Sequence, residues 1–480
     1  MQQIKMKKFT SDIVIGLEIH IECDTKTKLF CSCPTKGNEE PNTRVCPICL
    51  GHPGSKPVLN KKAVEYALKL CLALNCEISP ELVFSRKSYF YPDMAKNYQI
   101  SQYEVPLGKN GNLNLREGKQ IGIIRVHLEE DPASLIHPAG LQDSQYVLVD
   151  YSRSGNPLVE VVTEPDLTSP DQARDFMKHL IAVLNYLEIF DINGGIIKAD
   201  ANISIKESDY ARIEIKNITG FKEIERALTY EVNRQKEEAR HGKKIYQETR
   251  GWDSEKGTTF SLRKKETEED YGYIIDTDLT AVEITDKWLA QIKKEMPELP
   301  QDKARKFIHK YKVREEDAVI LAAEKDLADM FEKVAEDISP ILAAKWLRRE
   351  LARVLNYNKK ELNEVEIDEK HIIDLLRLVE NKKITDNVAS KILEKLIEKP
   401  FDVKEYVKKE KLEAVSDIEE LEKYCKEAIE EYQDAVKDYK KGKKKALNFI
   451  VGKVMIRTRG KATPKEVNEI IIKFINQPKI

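Results

Sequence analysis

Ile13-Val-Ile-Gly-Leu-Glu-Ile-His-Ile21 is the stretch on which the reading of this chain turns. Ile13, Ile15, Leu17, Ile19 and Ile21 alternate with Gly16, Glu18 and His20, the two-residue period of a β-strand. One face of that strand is apolar, and the other sets a carboxylate beside an imidazole. A solvated strand face is the plain alternative for such a pattern taken alone. Directly downstream stand Cys31-Ser-Cys33 and Cys46-Pro-Ile-Cys49, with twelve residues between the two pairs. Two close cysteine pairs across a short loop suit tetrahedral zinc, because each pair supplies two thiolates from one turn. Pro34, Gly37, Pro41, Pro47, Gly51, Pro53 and Gly54 provide the turn chemistry such a knuckle needs. Paired disulfides or ordinary buried thiols are the competing readings. Zinc closed on Cys31, Cys33, Cys46 and Cys49 has no open coordination position, so the quartet is expected to be structural and the chemistry to lie around Glu18 and His20.

Further segments repeat the strand period and add acidic groups. In Ile123-Ile-Arg-Val-His-Leu-Glu-Glu-Asp131, the apolar set Ile124, Val126 and Leu128 runs into Glu130, and a carboxylate on the buried side needs a partner. Leu158-Val-Glu-Val-Val162 places Glu160 among aliphatic residues of both parities, as in a covered strand. Lys198-Ala-Asp-Ala-Asn-Ile-Ser-Ile205 and Arg212-Ile-Glu-Ile-Lys-Asn217 put Asp200 with Asn202, and Glu214 with Arg212 and Lys216, on polar faces. Acidic groups gathered on one sheet repel each other unless something positive stands among them. Oxygen donors with one imidazole favour Mg²⁺ or Mn²⁺, and Mg²⁺ on carboxylates commonly shares its sphere with nucleotide phosphates. Unrelated surface salt bridges are the alternative. Neither a P-loop nor a G-x-G-x-x-G turn occurs, so any ATP is held another way. Arg86, Lys87, Tyr89, Tyr91 and Lys96 form a basic and aromatic segment suited to phosphates or bases, or simply to a solvated loop.

Composition narrows the class. A chain of 480 residues with 41% hydrophobic and 34% charged residues is globular and large enough for two to four domains. Nothing approaches a membrane span, and the first ten residues lack the apolar core of a signal peptide, which points to the cytoplasm. Cys23, Cys71, Cys76 and Cys425 read as small hydrophobes. A net charge of −2 excludes coating of nucleic acid by bulk field, so any such contact must be local.

Near Pro297 and Pro300 the pattern turns from β-rich to helical. Ser339 and Pro340 open a helix whose Leu342, Trp346, Leu347, Leu351 and Val354 share one face. Helical patterns follow at 372–378 and 389–397 before Pro400 breaks the series. The expected fold class is α+β, with a β-rich body over 1–294, a helical domain over 295–403 and a small helical tail over 404–480. In that tail Lys440, Lys441, Lys443, Lys444, Lys445, Lys453, Arg457, Arg459 and Lys461 occur without an intervening acidic residue, a patch able to attract phosphates by counterion release.

The strand with Glu18 and His20, the knuckle with Gly51-His-Pro-Gly54, Arg86-Lys-Ser-Tyr-Phe-Tyr-Pro-Asp93, Tyr98-Gln-Ile-Ser-Gln102, His127-Leu-Glu-Glu-Asp131, Pro157-Leu-Val-Glu-Val-Val-Thr-Glu-Pro-Asp166, Asp200-Ala-Asn202, Glu214-Ile-Lys-Asn217, Arg234-Gln235 and Gln247-Glu-Thr-Arg-Gly-Trp-Asp253 occur in one collinear order. Together they resemble the B subunits of the tRNA-dependent amidotransferases, the GatB/GatE family. Lys445-Ala-Leu-Asn-Phe-Ile-Val-Gly452 and Gly460-Lys-Ala462 resemble its small tRNA-binding tail. Absence of a large insertion before the helices favours the GatB type.

The resemblance implies a cradle-shaped catalytic body. It also implies an enzyme that uses ATP to phosphorylate the side-chain carboxylate of mischarged Asp-tRNA(Asn) or Glu-tRNA(Gln). Ammonia then displaces the phosphate. Matched motif by motif, it implies Mg²⁺ at Glu18, His20, Glu130, Glu160, Asp200 and Glu214, with catalysis at Glu18, His20 and Glu130. It implies structural Zn²⁺ at the cysteine quartet and tRNA contacts from Lys443, Lys444, Lys445, Lys453, Arg457, Arg459 and Lys461. An A subunit acting as glutaminase and a small C subunit would complete a heterotrimer. Two departures stand out: Pro132-Ala-Ser134 replaces Ala-Gly-Lys, and Tyr271-Gly-Tyr-Ile-Ile275 lacks an Arg and a Pro, so no role is carried to that second segment. A non-catalytic tRNA scaffold and a stand-alone carboxylate-amine ligase are the rival functions. A scaffold has no reason to keep Glu160 inside an aliphatic strand, and a ligase for small metabolites does not need the basic tail.

Overall fold

The computed structural model describes residues 11–37, 40–116, 118–138, 144–191, 194–195, 197–263, 272–414, 418–458 and 460–476. The chain divides into two compact units, Met1–Leu299 and Pro300–Ile480.

A nine-stranded sheet dominates the first unit. Its strands in chain order are β1 (Ile13–Glu22), β2 (Glu77–Ile78), β3 (Gly108–Asn114), β4 (Gln120–Glu130), β5 (Pro157–Thr163), β6 (Ile197–Ile205), β7 (Ile213–Thr219), β8 (Glu248–Asp253) and β9 (Thr258–Arg263). Their spatial order is β9-β8-β7-β6-β1-β5-β4-β3-β2, so β1 lies at the centre between β5 and β6. All pairs are antiparallel except β7 with β8. Those two are joined through helix α3 (Phe221–Arg240), and a parallel pair needs a crossover of that kind.

Strand parity decides which face is covered. Ile15, Leu17, Ile19 and Ile21 are buried and share a core with Val126, Leu128, Val159 and Val161. Helices α1 (Lys61–Ala73), α2 (Pro170–Leu187) and α3 pack their apolar stripes into that core. Asn60 caps α1, accepting from the N–H groups of Lys62 and Ala63, and its amide donates to the Thr27 carbonyl at 3.0 Å. The opposite face of the sheet remains polar at its centre.

A buried polar network fastens α3 to strands β8 and β9. Glu231 is 0% exposed. Its carboxylate accepts from Arg234 at 2.5 Å, Gln235 at 2.9 Å and Thr259 at 3.0 Å. Arg250 lies 3.6 Å from it and donates to the Thr259 carbonyl at 2.9 Å. Arg234, Gln235 and Arg250 therefore serve the scaffold, with charges that satisfy one another inside the fold.

The second unit is helical. The expected helix after Ser339 forms as Pro340–Lys345, a π-helical turn at Trp346–Leu351, and Ala352–Asn358. Trp346, Leu347, Leu351 and Val354 are buried, as their spacing requires. Ser339 holds the N-cap position, yet no side-chain bond forms there, and its N–H donates to Glu380 at 3.0 Å. Helices Glu369–Glu380 and Asp386–Glu398 contain the other two predicted patterns. Leu421, Cys425, Leu447, Ile450, Val454, Val467 and Ile471 form a separate core among the last four helices. No helix among the described residues is long and apolar enough to cross a membrane.

Replacing Glu231 by Ala removes the buried acceptor shared by Arg234, Gln235 and Thr259, while Glu238 and Glu248 still pair with Arg234 and Glu248 with Arg250. A loss of about 1–3 kcal/mol is expected, measured as a lower denaturant midpoint of the full chain.

Candidate functional site

Register across the central strands assembles a polar row on the open face. His20 on β1 lies opposite Glu160 on β5 and Lys198 on β6, and Glu160 lies in turn opposite His127 on β4. One step along β1, Glu18 lies opposite Asp200, and on the outer side Asn202 faces Glu214. These side chains meet because residues directly opposite in an antiparallel pair project to the same face.

Glu18, His20, His127, Glu160, Lys198 and Asp200 of this row line a pocket of about 320 Å³, within the roughly 300–1,000 Å³ range of small-molecule sites. Its acidic centre comprises His20, Glu129 and Glu160, whose ligand atoms all lie within 4.8 Å of one another. His20 Nε2 is 3.5 Å from Glu129 and 3.9 Å from Glu160. His127, 3% exposed, sets its Nε2 3.0 Å from Glu160, while its Nδ1 has no hydrogen-bond partner among the described residues. Burial disfavours the charged form of His127, but Glu160 and Glu129 outweigh it and hold its pKa up at about 9. Burial likewise opposes ionisation of Glu160, and His127 and His20 reverse that, keeping the carboxyl well below the usual range. For Glu18, burial raises the pKa and the neighbouring carboxylates Glu160, Asp200 and Glu214 add to the rise.

A second acidic group surrounds Lys216. Its Nζ lies 3.0 Å from Asp200 and 3.3 Å from Glu214, and Glu214 also accepts from Thr249 at 2.9 Å. Glu18 accepts from Asn202 at 2.9 Å. Cations stand on the same walls: Lys87, Arg125, Arg153 and Lys198. Burial pushes Asp131 up to about 6 despite Arg153 at 3.1 Å. Two carboxylates and an imidazole beside a wall of cations are a donor set for a divalent ion next to an anionic ligand.

The structure thus brings Glu18, His20, Glu160, Asp200 and Glu214 to one face. It does not bring Glu130 there. Glu130 shares the inward parity of Val126 and Leu128, and its carboxylate is taken by Lys96 at 2.5 Å and by the Ile100 N–H at 2.8 Å. The partner that a buried carboxylate requires is therefore Lys96. Glu129 and His127 occupy the pocket instead, and their alternation with Val126 and Leu128 was the available signal for them. Ile124, by contrast, is exposed, because a register shift opposite Val162 and Thr163 moves Ile121 and Ile123 into the core.

The Tyr98–Ser101 strand fixes this end of β4. Gln99 donates to the Glu130 carbonyl at 2.8 Å, and Gln102 accepts from the Leu128 N–H at 2.9 Å. The strand Gly272–Ile275 pairs with Ser85–Ser88. Tyr273 stacks on Tyr103 with ring centroids 4.0 Å apart, and Arg86 anchors the following turn through Asp276 at 2.7 Å and Asp278 at 2.9 Å. Tyr271 lies outside the described residues.

All eight cysteines are free thiols. The sulfurs of Cys31, Cys33, Cys46 and Cys49 lie within 4.8 Å of one another, and Cys46 and Cys49 are 3.9 Å apart. Tetrahedral zinc with bonds of about 2.3 Å sets sulfurs roughly 3.8 Å apart, so the quartet fits that ion. In the tail, Lys443, Lys444 and Lys445 are exposed. Lys443 pairs with Asp438 at 3.1 Å, Arg457 with Glu427 at 3.6 Å and with Glu431, and Lys453 lies over the rings of Tyr432 and Phe449. Folding thus returns acidic neighbours to a stretch that has none in sequence. Lys461 is partly exposed, and Arg459 lies outside the described residues.

Residues 13–290 match the GatB/GatE catalytic domain, and residues 329–475 match the GatB domain. The chain is 42% identical to a protein of Carboxydothermus hydrogenoformans named as the B subunit of an aspartyl/glutamyl-tRNA(Asn/Gln) amidotransferase, over 96% of this chain and 98% of the relative. Proteins of the same name from Thermodesulfovibrio yellowstonii and Thermotoga petrophila are each 42% identical, over 97% and 96% of this chain and 99% and 98% of their own lengths.

Divalent-metal binding separates the two neighbouring glutamates. Glu129→Gln and Glu160→Gln are expected to weaken Mn²⁺ binding by more than the roughly 10- to 100-fold that loss of an outer-shell partner costs. Glu130→Gln retains Mn²⁺ affinity within a few fold and lowers thermal stability. Paramagnetic titration of the three variants provides the check.

Proposed function

The chain belongs to the GatB/GatE family, and on that premise we propose that it is the carboxylate-activating subunit of an aspartyl/glutamyl-tRNA(Asn/Gln) amidotransferase. The observation that carries this reading is the His20, Glu129 and Glu160 centre beside Lys87, Arg125 and Lys198 in one pocket. A side-chain carboxylate and a nucleotide phosphate repel each other, and a site that joins them must supply positive charge to both.

A carboxylate is a poor electrophile. In the proposed reaction, the side-chain carboxylate oxygen of the mischarged aminoacyl group attacks the γ-phosphorus of ATP, and ADP leaves. Ammonia then attacks the acyl carbon, and inorganic phosphate departs with the former carboxylate oxygen. Mg²⁺, when bound, supplies Lewis-acid neutralisation of the phosphate charge. His20, Glu129 and Glu160 are the residues that would hold it. Lys87, Arg125 and Lys198, on the walls of the same pocket, would meet the polyphosphate. Asp200 and Glu214 act through Lys216, which they orient and keep protonated: burial opposes its charge, and the two carboxylates more than restore it. Glu130 positions the end of β4 rather than touching substrate.

Zinc at the cysteine quartet is part of the same reading, as is a glutaminase A subunit that delivers ammonia and a small C subunit that braces the heterotrimer. The free thiols suit a cytoplasmic setting. The tail is assigned to tRNA through Lys444, Lys445 and their neighbours.

With its partners, glutamine, Mg²⁺ and ATP, the protein is expected to convert Asp-tRNA(Asn) or Glu-tRNA(Gln) to the amide. Glu160→Gln should lower tRNA-dependent ADP release at least about 100-fold. Unchanged release in that variant rejects the site. Lys444→Glu with Lys445→Glu should weaken tRNA binding and reduce the salt slope by roughly two, while leaving glutamine hydrolysis by the partner intact. Equal tRNA affinity rejects the tail assignment.

A further inference from the structure

Lys28 is among the most deeply enclosed side chains of the fold, with 0% exposure. Its ammonium donates to the Arg44 carbonyl at 2.7 Å and to the Tyr151 carbonyl at 3.4 Å, and it lies 3.8 Å from the Cys49 sulfur. None of these partners, all among the described residues, is a carboxylate. Burying an ammonium costs several kcal/mol unless an anion compensates it, and two neutral carbonyls are not an anion. The remaining neighbour is sulfur. Four neutral thiols, or two disulfides, leave the charge of Lys28 unbalanced. Four thiolates around one divalent ion form a centre of net negative charge, which Lys28 is placed to neutralise.

Backbone geometry holds it there. The Lys28 N–H donates to the Cys33 carbonyl at 2.9 Å, and the Leu29 N–H to the Gly155 carbonyl at 2.8 Å. Gly155 has φ of +89°, a conformation that favours glycine, and a Cβ there would lie 3.5 Å from Lys28 Cδ and 3.7 Å from Cys49 Cβ. Loop 151–156 is thus pressed against both the lysine stem and the cysteine. The same loop reaches the carboxylate pocket. Gly155 N–H donates to the Asp131 carbonyl and Asp131 N–H to the Asn156 carbonyl, each at 2.9 Å, and Arg153 pairs with the Asp131 carboxylate at 3.1 Å.

We propose that Lys28 is the resident counter-cation of the four-cysteine centre and fastens that centre to loop 151–156 at the rim of the carboxylate pocket. The inference rests on the zinc reading above, so zinc content of the purified full chain is measured first. A chain prepared without chelator that carries no zinc rejects that reading. In the zinc-loaded chain, Lys28→Met should hold zinc about 10- to 100-fold more weakly in competition with a chromophoric chelator. Its cobalt-substituted form should show a displaced sulfur-to-cobalt charge-transfer band. Unchanged affinity and an unchanged band in the folded variant overturn the role of Lys28 while leaving zinc in place. Should the variant not fold, amine labelling of the unaltered chain decides. Lys28 protected with zinc bound and labelled once a chelator has removed it supports the tether, and equal labelling in the two states overturns it.

Discussion

The pairing of β1 between β5 and β6 is the constraint from which the site follows. Antiparallel register sets His20 opposite Glu160, and Glu160 opposite His127, on the one face of the sheet that the helices do not cover. An ionised carboxylate inside a strand buried along its whole length is sustainable only with cations in contact. The imidazoles of His127 and His20 meet that requirement, and the same arrangement leaves Glu129 and Glu160 directed at a common point. A one-residue slip of β1 would carry Glu18 and His20 into the apolar core and expose Ile19, so the hydrophobic set of β1 is also what holds the site in register.

Two clusters of donor side chains differ in kind. The cysteine quartet is a closed set of soft donors, suited to an ion that stays and shapes the loop around it. The His20, Glu129 and Glu160 centre is hard and incomplete, suited to an ion that shares its sphere with a ligand. Lys96 and Lys28 connect the knuckle to the sheet from two sides. A Cβ at Gly51 would overlap Lys96, whose ammonium holds Glu130 at the end of β4, and Lys28 meets the loop that pairs with Asp131. The cysteine loop is thereby tied to the strand end that presents Glu129.

Much of this was legible in the chain itself. The alternation of β1, the covered environment of Glu160, the cysteine quartet, the change to helices near Pro300 and the collinear motifs each rest on local periodicity or spacing, and these survive folding unchanged. Following the apolar set of β4 led to Glu130, because that set continues inward to the last residue of the strand. A buried carboxylate at Glu130 needs a partner, and only the fold supplies Lys96, from a loop thirty-four residues away.

The sequence by itself determined the parity of the strands, the identity of the donors and the family to which they are collinear, since these depend on residue type and spacing alone. Tertiary structure decided which glutamate enters the pocket, which cations neutralise the buried charges, and that Arg234, Gln235 and Arg250 serve the scaffold. Those outcomes depend on strand order, on the register shift in β4 and on contacts between residues far apart in the chain. Burial makes such contacts energetically decisive, and no local pattern encodes them.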